Sequence, residues 1–382
     1  MVRVIYYNVM NFTMLGKTGL RVSRLGFGAM RLPMQGEGEQ ARVNRELAIP
    51  LLRRAVELGV TYFDTAVFYC NADSQAALGE ALEGGLREKV VVSTKNSYHG
   101  TDEKEWWKLL EDSLKFLRTS YIDVYNHHGV NAKLFKETTL PVQGKWMQKA
   151  KDQGLIRHIC LSFHDNADGL REIIRTGYPE VITIQYNLFD RQLEDVIAEA
   201  HERGIGVVVM GPVGGGRLGA TSETLEALVP GIKRVPELAM RFVLANPNVN
   251  VALSGMENLA QLEENVKTCG DATTLTAEHK TLIDEQFVRL KEMAKLYCTG
   301  CKYCLPCPKE VQIPAVFEAF NRGRVYGLWQ SAKNAYNSIG KHDWNKGARA
   351  GACVECGECE KKCPQHIPIM AQLREARAAL EE

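Results

Sequence analysis

Between residue 25 and about residue 270 the chain alternates short apolar runs with longer segments in which apolar residues recur at helical spacing. This alternation is typical of βα units around a parallel sheet. Eight units of this length predict a closed (β/α)8 TIM barrel, and a doubly wound open sheet is the alternative. The eight apolar runs are Leu25–Met30, Thr61–Ala66, Lys89–Lys95, Tyr121–His128, Ile156–Phe163, Val181–Leu188, Ile205–Met210 and Val249–Gly255.

Eight of the eleven cysteines lie after this region, in two closely spaced runs. The run from Cys353 to Cys363 has the spacing C-x2-C-x2-C-x3-C-P, by which bacterial-type ferredoxins hold iron–sulfur clusters. Eight thiolates are the number that two [4Fe-4S] clusters require. The first run consists of Cys298, Cys301, Cys304 and Cys307, with Pro308 after it, and the second of Cys353, Cys356, Cys359 and Cys363.

In two-cluster ferredoxins the fourth cysteine of each run ligates the other cluster. This rule predicts that Cys363 completes the first cluster and that Cys307 completes the second. The alternative is a pair of zinc sites with four cysteine ligands each, because zinc also uses C-x2-C pairs. The consecutive two-residue gaps closed by Cys-Pro favour the clusters. Cys70, Cys160 and Cys269 are then dispensable for iron binding.

The length of 382 residues is too great for a ferredoxin alone. We expect a barrel at residues 14–275, and a linker helix with an α-helical, ferredoxin-like dicluster domain at residues 276–382. The linker helix is predicted at Thr276–Leu296, and Arg374–Glu382 are predicted to form a short, exposed terminal helix.

Charge and hydropathy exclude some partners. The net charge of +1 favours neither nucleic acid nor an anionic membrane. No apolar run approaches the ~20 residues needed to span a bilayer, and the amino terminus shows no secretion signal. We therefore expect a cytoplasmic protein, with reduced thiols, that acts on a small molecule.

Polar residues end three successive apolar runs of the predicted barrel. Asp64 and Tyr69 follow the second strand, Lys95 ends the third and His128 ends the fourth. Each alone also fits a structural role, as a cap, as packing or as a buried hydrogen-bonding group. Because catalytic groups of such barrels lie at the carboxyl ends of strands, their joint occurrence predicts a catalytic site.

These four residues suit the reduction of a carbonyl group. The reaction needs a hydride donor and an acid for the developing alkoxide, and a phenol of pKa ~10 is too weak an acid unless a cation lowers its pKa. Lys95 can lower the pKa of Tyr69 while Asp64 holds Lys95, and His128 can orient the carbonyl oxygen.

From Leu15 to about Val266 the chain resembles the aldo-keto reductases, and with the cysteines it resembles their iron–sulfur subgroup. The resemblance implies that Asp64, Tyr69, Lys95 and His128 are the family's catalytic residues. His128 is preferred to His127 because the family's His comes five residues after the position of Asp123. A His here, where steroid double-bond reductases carry Glu, favours carbonyl chemistry. The matching motifs are Leu15–Ser23, Gly26–Pro33, Tyr62–Ala66, Leu78–Leu82 and Ile122–Tyr125.

The resemblance also implies a bound nicotinamide nucleotide. Phe163 stands where the family has Asn, Met210 replaces its stacking aromatic residue, and Cys70 replaces Gly, which we interpret as a small core residue. The cofactor loop at residues 253–265 contains no Lys or Arg, which favours NAD(H) over NADP(H). The cofactor-binding residues so implied are Gly28, Met30, Ser162, Gln185, Met210, Gly214, Gly215, Gly216, Gly255, Gln261, Glu264 and Asn265.

Clusters pass single electrons whereas nicotinamides transfer hydride, so direct exchange between them needs an intermediary. A flavin whose phosphate lies in the Gly-rich stretch 211–219, a substrate that accepts single electrons, or a redox partner such as a ferredoxin would serve, and structural clusters remain an alternative. The sequence thus predicts an oxidoreductase that interconverts a carbonyl and an alcohol, coupled to electron transfer through two clusters. The alternatives are an electron-transfer protein whose barrel is a docking scaffold and an FMN-dependent redox enzyme.

Overall fold

The structure is a computed structural model that describes residues 10–270, 275–295, 298, 302, 304–342, 345–363 and 366–381. The described residues of Met1–Gly214 and Ala239–Thr274 form one compact unit, and those of Gly215–Leu238 and Leu275–Glu382 form a second. The sequence-based division at residue 275 coincides with one change of unit, whereas the structure groups Gly215–Leu238 with the second unit.

Eight parallel strands close into a barrel in the order β3-β6-β7-β8-β9-β10-β11-β12, and β12 pairs with β3. The predicted (β/α)8 barrel is confirmed, since each predicted apolar run overlaps one barrel strand. The strands are β1 (Phe12–Met14), β2 (Arg21–Ser23), β3 (Leu25–Gly28), β4 (Met34–Gln35), β5 (Arg42–Val43), β6 (Tyr62–Asp64), β7 (Val91–Asn96), β8 (Ile122–Val130), β9 (Ile156–Phe163), β10 (Val181–Gln185), β11 (Gly206–Met210) and β12 (Val251–Ser254).

Helices and helical turns connect these strands and continue into the second unit. No described helix combines the length and the apolar composition that a membrane crossing requires. The α-helices are α1 (Arg45–Glu57), α2 (Tyr69–Ala72), α3 (Ser74–Ala81), α4 (Glu103–Phe116), α5 (Ala132–Leu134), α6 (Gly144–Asp152), α7 (Ala167–Arg175), α8 (Glu194–Glu202), α9 (Glu223–Glu226), α10 (Val235–Leu244), α11 (Leu259–Gly270), α12 (Ala277–Lys295), α13 (Ile313–Tyr326), α14 (Trp329–Ser338), α15 (Glu358–Lys361) and α16 (Ile369–Leu380). A π-helical segment, Phe135–Gln143, precedes α6, and 3-10 turns lie at Ala29–Arg31, Gly38–Gln40, Arg87–Lys89, Gly214–Gly219 and Ala350–Ala352.

An apolar layer fills the barrel towards the amino ends of its strands. Side chains of a barrel strand point inwards at every second position, as in β6, where Tyr62 lies in this layer. The β1–β2 hairpin adds Leu15 and Val22 to the same layer, so it closes this end of the barrel. The polar inward-facing residues are left to the carboxyl end, where the chemistry of such barrels takes place.

In the second unit, α13, α14 and α16 surround an apolar core that includes Phe317, Tyr336 and Leu373. The predicted linker helix corresponds to α12. The expectation of a short, exposed helix at Arg374–Glu382 is wrong, because α16 begins at Ile369 and buries Leu373 and Leu380. Its apolar positions start five residues before the predicted helix and lie on the side that faces the core.

Candidate active site and cluster site

Asp64 and Lys95 form a buried ion pair at the carboxyl ends of neighbouring strands β6 and β7. Lys95, only 1% exposed, donates from Nζ to Asp64 Oδ1 at 2.5 Å and to the carbonyl of Thr65 at 2.7 Å. An ammonium group has three protons to donate. Two have these partners, and Nζ lies 4.7 Å from the centre of the Tyr69 ring. The pair therefore presents a fixed positive charge to Tyr69.

A layer of hydrogen bonds inside the barrel holds Asp64 in turn. Ser93 Oγ donates to Asp64 Oδ2 at 2.9 Å, and Asn126 Nδ2 donates to Ser93 Oγ at 3.0 Å. Thr183 Oγ1 donates to Asn126 Oδ1 at 3.2 Å. Since the Asn126 amide can only donate through Nδ2, the Ser93 proton is directed to Asp64. The sequence analysis missed Ser93, Asn126 and Thr183, although all three lie at inward positions of predicted strands.

The pKa values of Tyr69 and Lys95 both depend on this burial. Burial raises the pKa of Tyr69, and the charge of Lys95 opposes this effect without cancelling it. Burial alone would lower the pKa of Lys95, but Asp64 and Tyr69 together raise it above its ordinary value. At neutral pH, Lys95 is charged and Tyr69 keeps its proton. The expected lowering by Lys95 is present, but burial outweighs it.

Tyr69 is followed by three residues in the left-handed region. Cys70, Asn71 and Ala72 have φ angles of 53°, 53° and 64°, a conformation that costs roughly 1–2 kcal/mol for each residue with a Cβ. Asn71 Nδ2 donates to the carbonyls of Gly38 and Ala41, at 2.9 and 3.2 Å. Cys70 is half-buried, with its Sγ 3.6 Å from the carbonyl oxygen of Ala29. The interpretation of Cys70 as a core residue is therefore wrong, because its side chain is only half-buried.

The two adjacent histidines of β8 point to opposite sides of the strand. His128 places its ring edge-on to Tyr69, with the centres 6.2 Å apart, and its Nδ1 lies 2.6 Å from Ser97 Oγ. His127 lies 2.9 Å from the Tyr178 hydroxyl through Nε2. Burial, and then the charge of Lys95, lower the pKa of His128 to about 4, so this ring is neutral at neutral pH. The structure thus brings Asp64, Lys95, Tyr69 and His128 together.

Several residues expected to bind the nicotinamide nucleotide lie at the same end of the barrel. Gln185 and Met210 are paired in register at the ends of β10 and β11. The Gln185 amide packs so closely on Gly211 that a Cβ there would lie 2.7 Å from its Nε2. Ser162 in β9 is buried, and its Oγ has no hydrogen-bond partner among the described residues. An orphaned hydroxyl at this position suits a polar ligand.

A second group of these residues lies around the β3–β12 pair. Gly28 ends β3, and Met30 after it is 60% exposed. Gly255 follows β12, and the side chain of Arg31 packs against it. A Cβ at Gly255 would lie 3.2 Å from Arg31 Cδ. The loop sequence at residues 253–265 contains no basic residue, but Arg31, in the 3-10 turn after β3, places a cation beside Gly255.

The α11 residues of this group include two that hydrogen-bond to the segment between the end of β12 and the helix. The glycines of the group are divided between the two compact units. Gln261 Oε1 accepts from the Glu257 N–H at 2.7 Å, and Asn265 Nδ2 donates to Ser254 Oγ at 3.0 Å. Glu264 lies on the same helix. Gly214 belongs to the barrel unit, whereas Gly215 and Gly216, with φ angles of 68° and 92°, belong to the second unit.

A pocket of the second unit is lined by thiols from both cysteine runs. Among the described residues, no three Cys, His, Asp or Glu side chains converge as closely as a single metal ion requires. Thiols spread around a pocket instead suit a larger group such as a cluster. Lys309, Glu358 and Lys362 also line this pocket. The thiols belong to Cys304, Cys307, Cys353, Cys356 and Cys359.

Cysteines of both runs also lie in or against the apolar core of this unit. Cys304 and Cys363 are buried in that core, and Cys298 packs against it. Cys301 lies outside the described residues. Cys304 and Cys307, from the first run, share the pocket with Cys353, Cys356 and Cys359, so the pocket brings thiols of both runs together.

Comparison with known proteins assigns both parts of the chain. Residues 24–286 match the model of the aldo/keto reductase family. The chain belongs to the aldo/keto reductase family. Residues 297–367 match the model of the 4Fe-4S dicluster domain. The protein is therefore an oxidoreductase that joins an aldo/keto reductase barrel to a ferredoxin-like dicluster domain.

Related proteins cover the barrel. The chain is similar to the uncharacterized oxidoreductase YqkF of Bacillus subtilis, with 27% identity over 298 residues, covering 69% of this chain and 92% of YqkF. L-galactose dehydrogenase of Arabidopsis thaliana is 27% identical over 303 residues, covering 72% and 92%. The holo form of aldo-keto reductase AKR11C1 from Bacillus halodurans has a TM-score of 0.63 and 27% identity, covering 72% and 96%.

Around the His128 of this aldo/keto reductase lie residues that the sequence analysis missed. Ser97 follows the third barrel strand, and His99 Nε2 lies 2.6 Å from the carbonyl oxygen of His128. His164 directly follows the fifth barrel strand, at an inward position two residues after Ser162. Burial and the charge of Lys95 lower its pKa. His164 could have been predicted as a site residue from the sequence, because it is a polar residue directly after an apolar run.

Proposed function

We propose that this protein interconverts a carbonyl compound and its alcohol, with Tyr69 as the proton donor and a nicotinamide nucleotide, NAD(H) or NADP(H), as the hydride carrier. The observation that carries the proposal is the buried Lys95, which is fixed by Asp64 and Thr65 and faces the Tyr69 ring. Burying two charges is costly unless they are paired and used. A barrel that served only as a docking scaffold would not need this arrangement.

The residues present fit a nicotinamide nucleotide. Ser162, whose buried Oγ has no partner among the described residues, and Gln185 would hold its carboxamide. When bound, the nicotinamide would supply or accept the hydride. Arg31 beside Gly255 would interact with a phosphate group of the cofactor.

The chain's own groups would handle the proton. Because burial raises its pKa, the Tyr69 hydroxyl keeps its proton until charge develops on the substrate oxygen. Lys95 Nζ would then stabilise the phenolate that remains on Tyr69. His128, which is neutral because its pKa is about 4, would donate from Nε2 to the same oxygen and orient it.

The thiols fit two [4Fe-4S] clusters, which would supply one-electron transfer. Cys353, Cys356 and Cys359 would hold one with Cys307, a division that follows the ligand sharing of two-cluster ferredoxins. These four thiols line one pocket together with Cys304. Cys298, Cys301 and Cys304 would hold the other with Cys363. A ferredoxin or another one-electron carrier would exchange electrons with the clusters, and a reducing cytoplasm would keep the thiols available.

Protein purified without oxygen tests this proposal. With NADH that carries deuterium at C4 of the nicotinamide and a panel of aldehydes and ketones, we expect deuterium on the carbinol carbon of the product. Analysis of the same sample should find about eight irons and eight acid-labile sulfides per chain.

Three results would contradict parts of the proposal. Release of FMN on denaturation, with no deuterium in the alcohol, would favour the flavin alternative. Zinc in the absence of acid-labile sulfide would remove the clusters. A full complement of clusters without hydride transfer to any carbonyl would favour an electron-transfer protein.

A further inference from the structure

The hydroxyl of Ser97 contacts the ring of His128. Ser97 is the first residue after β7, and its Oγ lies 2.6 Å from His128 Nδ1. No motif that identifies the family includes Ser97. The contact joins the end of β7 to the neighbouring strand β8, on the side of the imidazole that faces away from its Nε2.

The loop that carries Ser97 is held rigidly from several sides. Asn96 Oδ1 accepts from the Tyr98 N–H at 3.0 Å. Gln143 Nε2, at the end of the π-helical segment, donates to the carbonyls of Tyr98 and Gly100 at 3.0 and 2.9 Å. The Asp102 N–H donates to the Tyr98 hydroxyl at 2.8 Å. Ser97 is therefore placed in advance of any ligand, as a group that orients another side chain must be.

A second contact fixes the backbone that bears the imidazole. His99, on the same loop, lies 2.6 Å from the carbonyl oxygen of His128 through Nε2. Since that carbonyl can only accept, His99 Nε2 carries a proton and donates it. The loop thus holds both the backbone and the ring of His128.

The position of one proton follows from the Ser97 contact. Nδ1 of His128 is the single hydrogen-bond partner of Ser97 Oγ among the described residues. If Ser97 donates, Nδ1 is the acceptor and the proton of the neutral ring lies on Nε2. If Nδ1 instead donated to Ser97, Nε2 would carry a lone pair and would repel a carbonyl oxygen.

We propose that Ser97 is a positioning residue that donates to His128 Nδ1, and thereby holds the imidazole in the tautomer and orientation in which Nε2–H points at the substrate oxygen. This inference rests on the proposed carbonyl chemistry for its role in turnover. The hydrogen bond and the tautomer are testable without turnover.

The first test is kinetic. Ser97→Ala should lower kcat about tenfold, the effect of one lost hydrogen bond of about 1.4 kcal/mol, and leave the KM for NADH unchanged. Ser97→Thr keeps the hydroxyl and should restore kcat to within about threefold of the parent. Thr101→Val removes another hydroxyl of the same loop, at an exposed residue, and should change kcat less than twofold. Equal losses in Ser97→Ala and Ser97→Thr would overturn the proposal.

The second test is 15N NMR of the holoenzyme with 15N-labelled histidine, in which His128→Gln assigns the resonances. We expect an unprotonated, hydrogen-bonded Nδ1 and a protonated Nε2 in the parent, and a shifted Nδ1 resonance in Ser97→Ala. A protonated Nδ1 in the parent, or no change in Ser97→Ala, would overturn the proposal. Because this readout needs no substrate, it stands even if no carbonyl is reduced.

Discussion

The barrel site and the cluster pocket are built on opposite principles. In the barrel, the chain supplies both members of each interaction, as in the Lys95–Asp64 pair and the Ser93–Asn126 hydrogen bond. In the pocket, five thiols face a common space, and cysteine sulfur is a weak hydrogen-bonding group. The catalytic groups of the first site are held by the polypeptide itself, whereas the thiols of the second need a group that the polypeptide does not contain. One chain can thus combine a site whose side chains hold one another with a site whose side chains face a common ligand space.

Removal of iron should have the largest effect and should separate the two sites. Because metal binding contributes to the folding of small metal-containing domains, we expect iron chelation under reducing conditions to unfold the dicluster domain and to leave the barrel folded. Limited proteolysis followed by mass spectrometry should show cleavage confined to the second unit. Cleavage spread equally over both units would contradict the difference between the sites.

Cysteine variants provide the matched control. Cys356→Ser should lose about half of the iron, because one of two clusters loses a ligand. Cys160→Ser, at a thiol buried inside the barrel, should keep all of it. Iron loss in Cys160→Ser would mean that this thiol contributes to cluster binding.

Loss of the proposed acid should have the next largest effect, and this effect should be confined to the chemical step of the reaction. Tyr69→Phe should lower kcat roughly 10²–10⁴-fold, the usual contribution of general acid catalysis. NADH affinity and iron content should not change, because the hydroxyl acts in the transition state. Steady-state kinetics and a fluorescence titration with NADH measure both. Tyr121→Phe, at a tyrosine that precedes β8, is the control, and parental turnover in Tyr69→Phe would remove Tyr69 as the acid.

Breaking the buried pair should destabilise the barrel alone. Lys95→Met leaves Asp64 buried without its counter-charge, which should lower the free energy of unfolding by about 3–5 kcal/mol. Lys108→Met removes an exposed partner of Asp112 and should change the free energy of unfolding far less, because solvent screens an exposed pair. Urea unfolding of the barrel checks both values. Similar losses of unfolding free energy in the two variants would show that the buried Lys95–Asp64 pair stabilises the barrel no more than the exposed pair does.

The same variant has a pH signature. Lys95 lowers the pKa of Tyr69 against the effect of burial, so its loss raises that pKa. In the direction of alcohol oxidation Tyr69 must act as a base, and the rise of kcat with pH should therefore move to higher pH in Lys95→Met. The stabilising effect of the pair should follow the raised pKa of Lys95: it is fully present below about pH 10.4, the unfolded value, and is lost as the pH rises through the folded value.

The smallest predicted effect concerns the turn after Tyr69. Cys70→Gly should stabilise the barrel by about 1 kcal/mol, because glycine adopts a φ of 53° without the Cβ penalty. Cys70→Ala keeps that penalty and should not stabilise the protein, which separates the backbone effect from the thiol. Thermal unfolding measures both variants. Stabilisation by Cys70→Ala would assign the strain to the sulfur.

The architecture was predictable because the strands are apolar enough to be recognised without their neighbours, as in Val181–Gln185. The β1–β2 and β4–β5 hairpins were missed because strands of two or three residues carry no periodicity. Ser162 and Gln185 were predicted through a resemblance, whereas the contacts of Asn126, Ser97 and Arg31 required the three-dimensional fold. The role of each depends on which side chain from another segment it contacts, and only the closed barrel brings those segments together.

The second unit is discontinuous in the chain. Its segment Gly215–Leu238 lies between β11 and β12, and Ser222 Oγ donates to the carbonyl of Tyr326 at 2.6 Å, across more than a hundred residues. During synthesis, this segment therefore leaves the ribosome before the residues it packs against have been made. A gene shortened after residue 275 would leave the Ser222 hydroxyl without this acceptor.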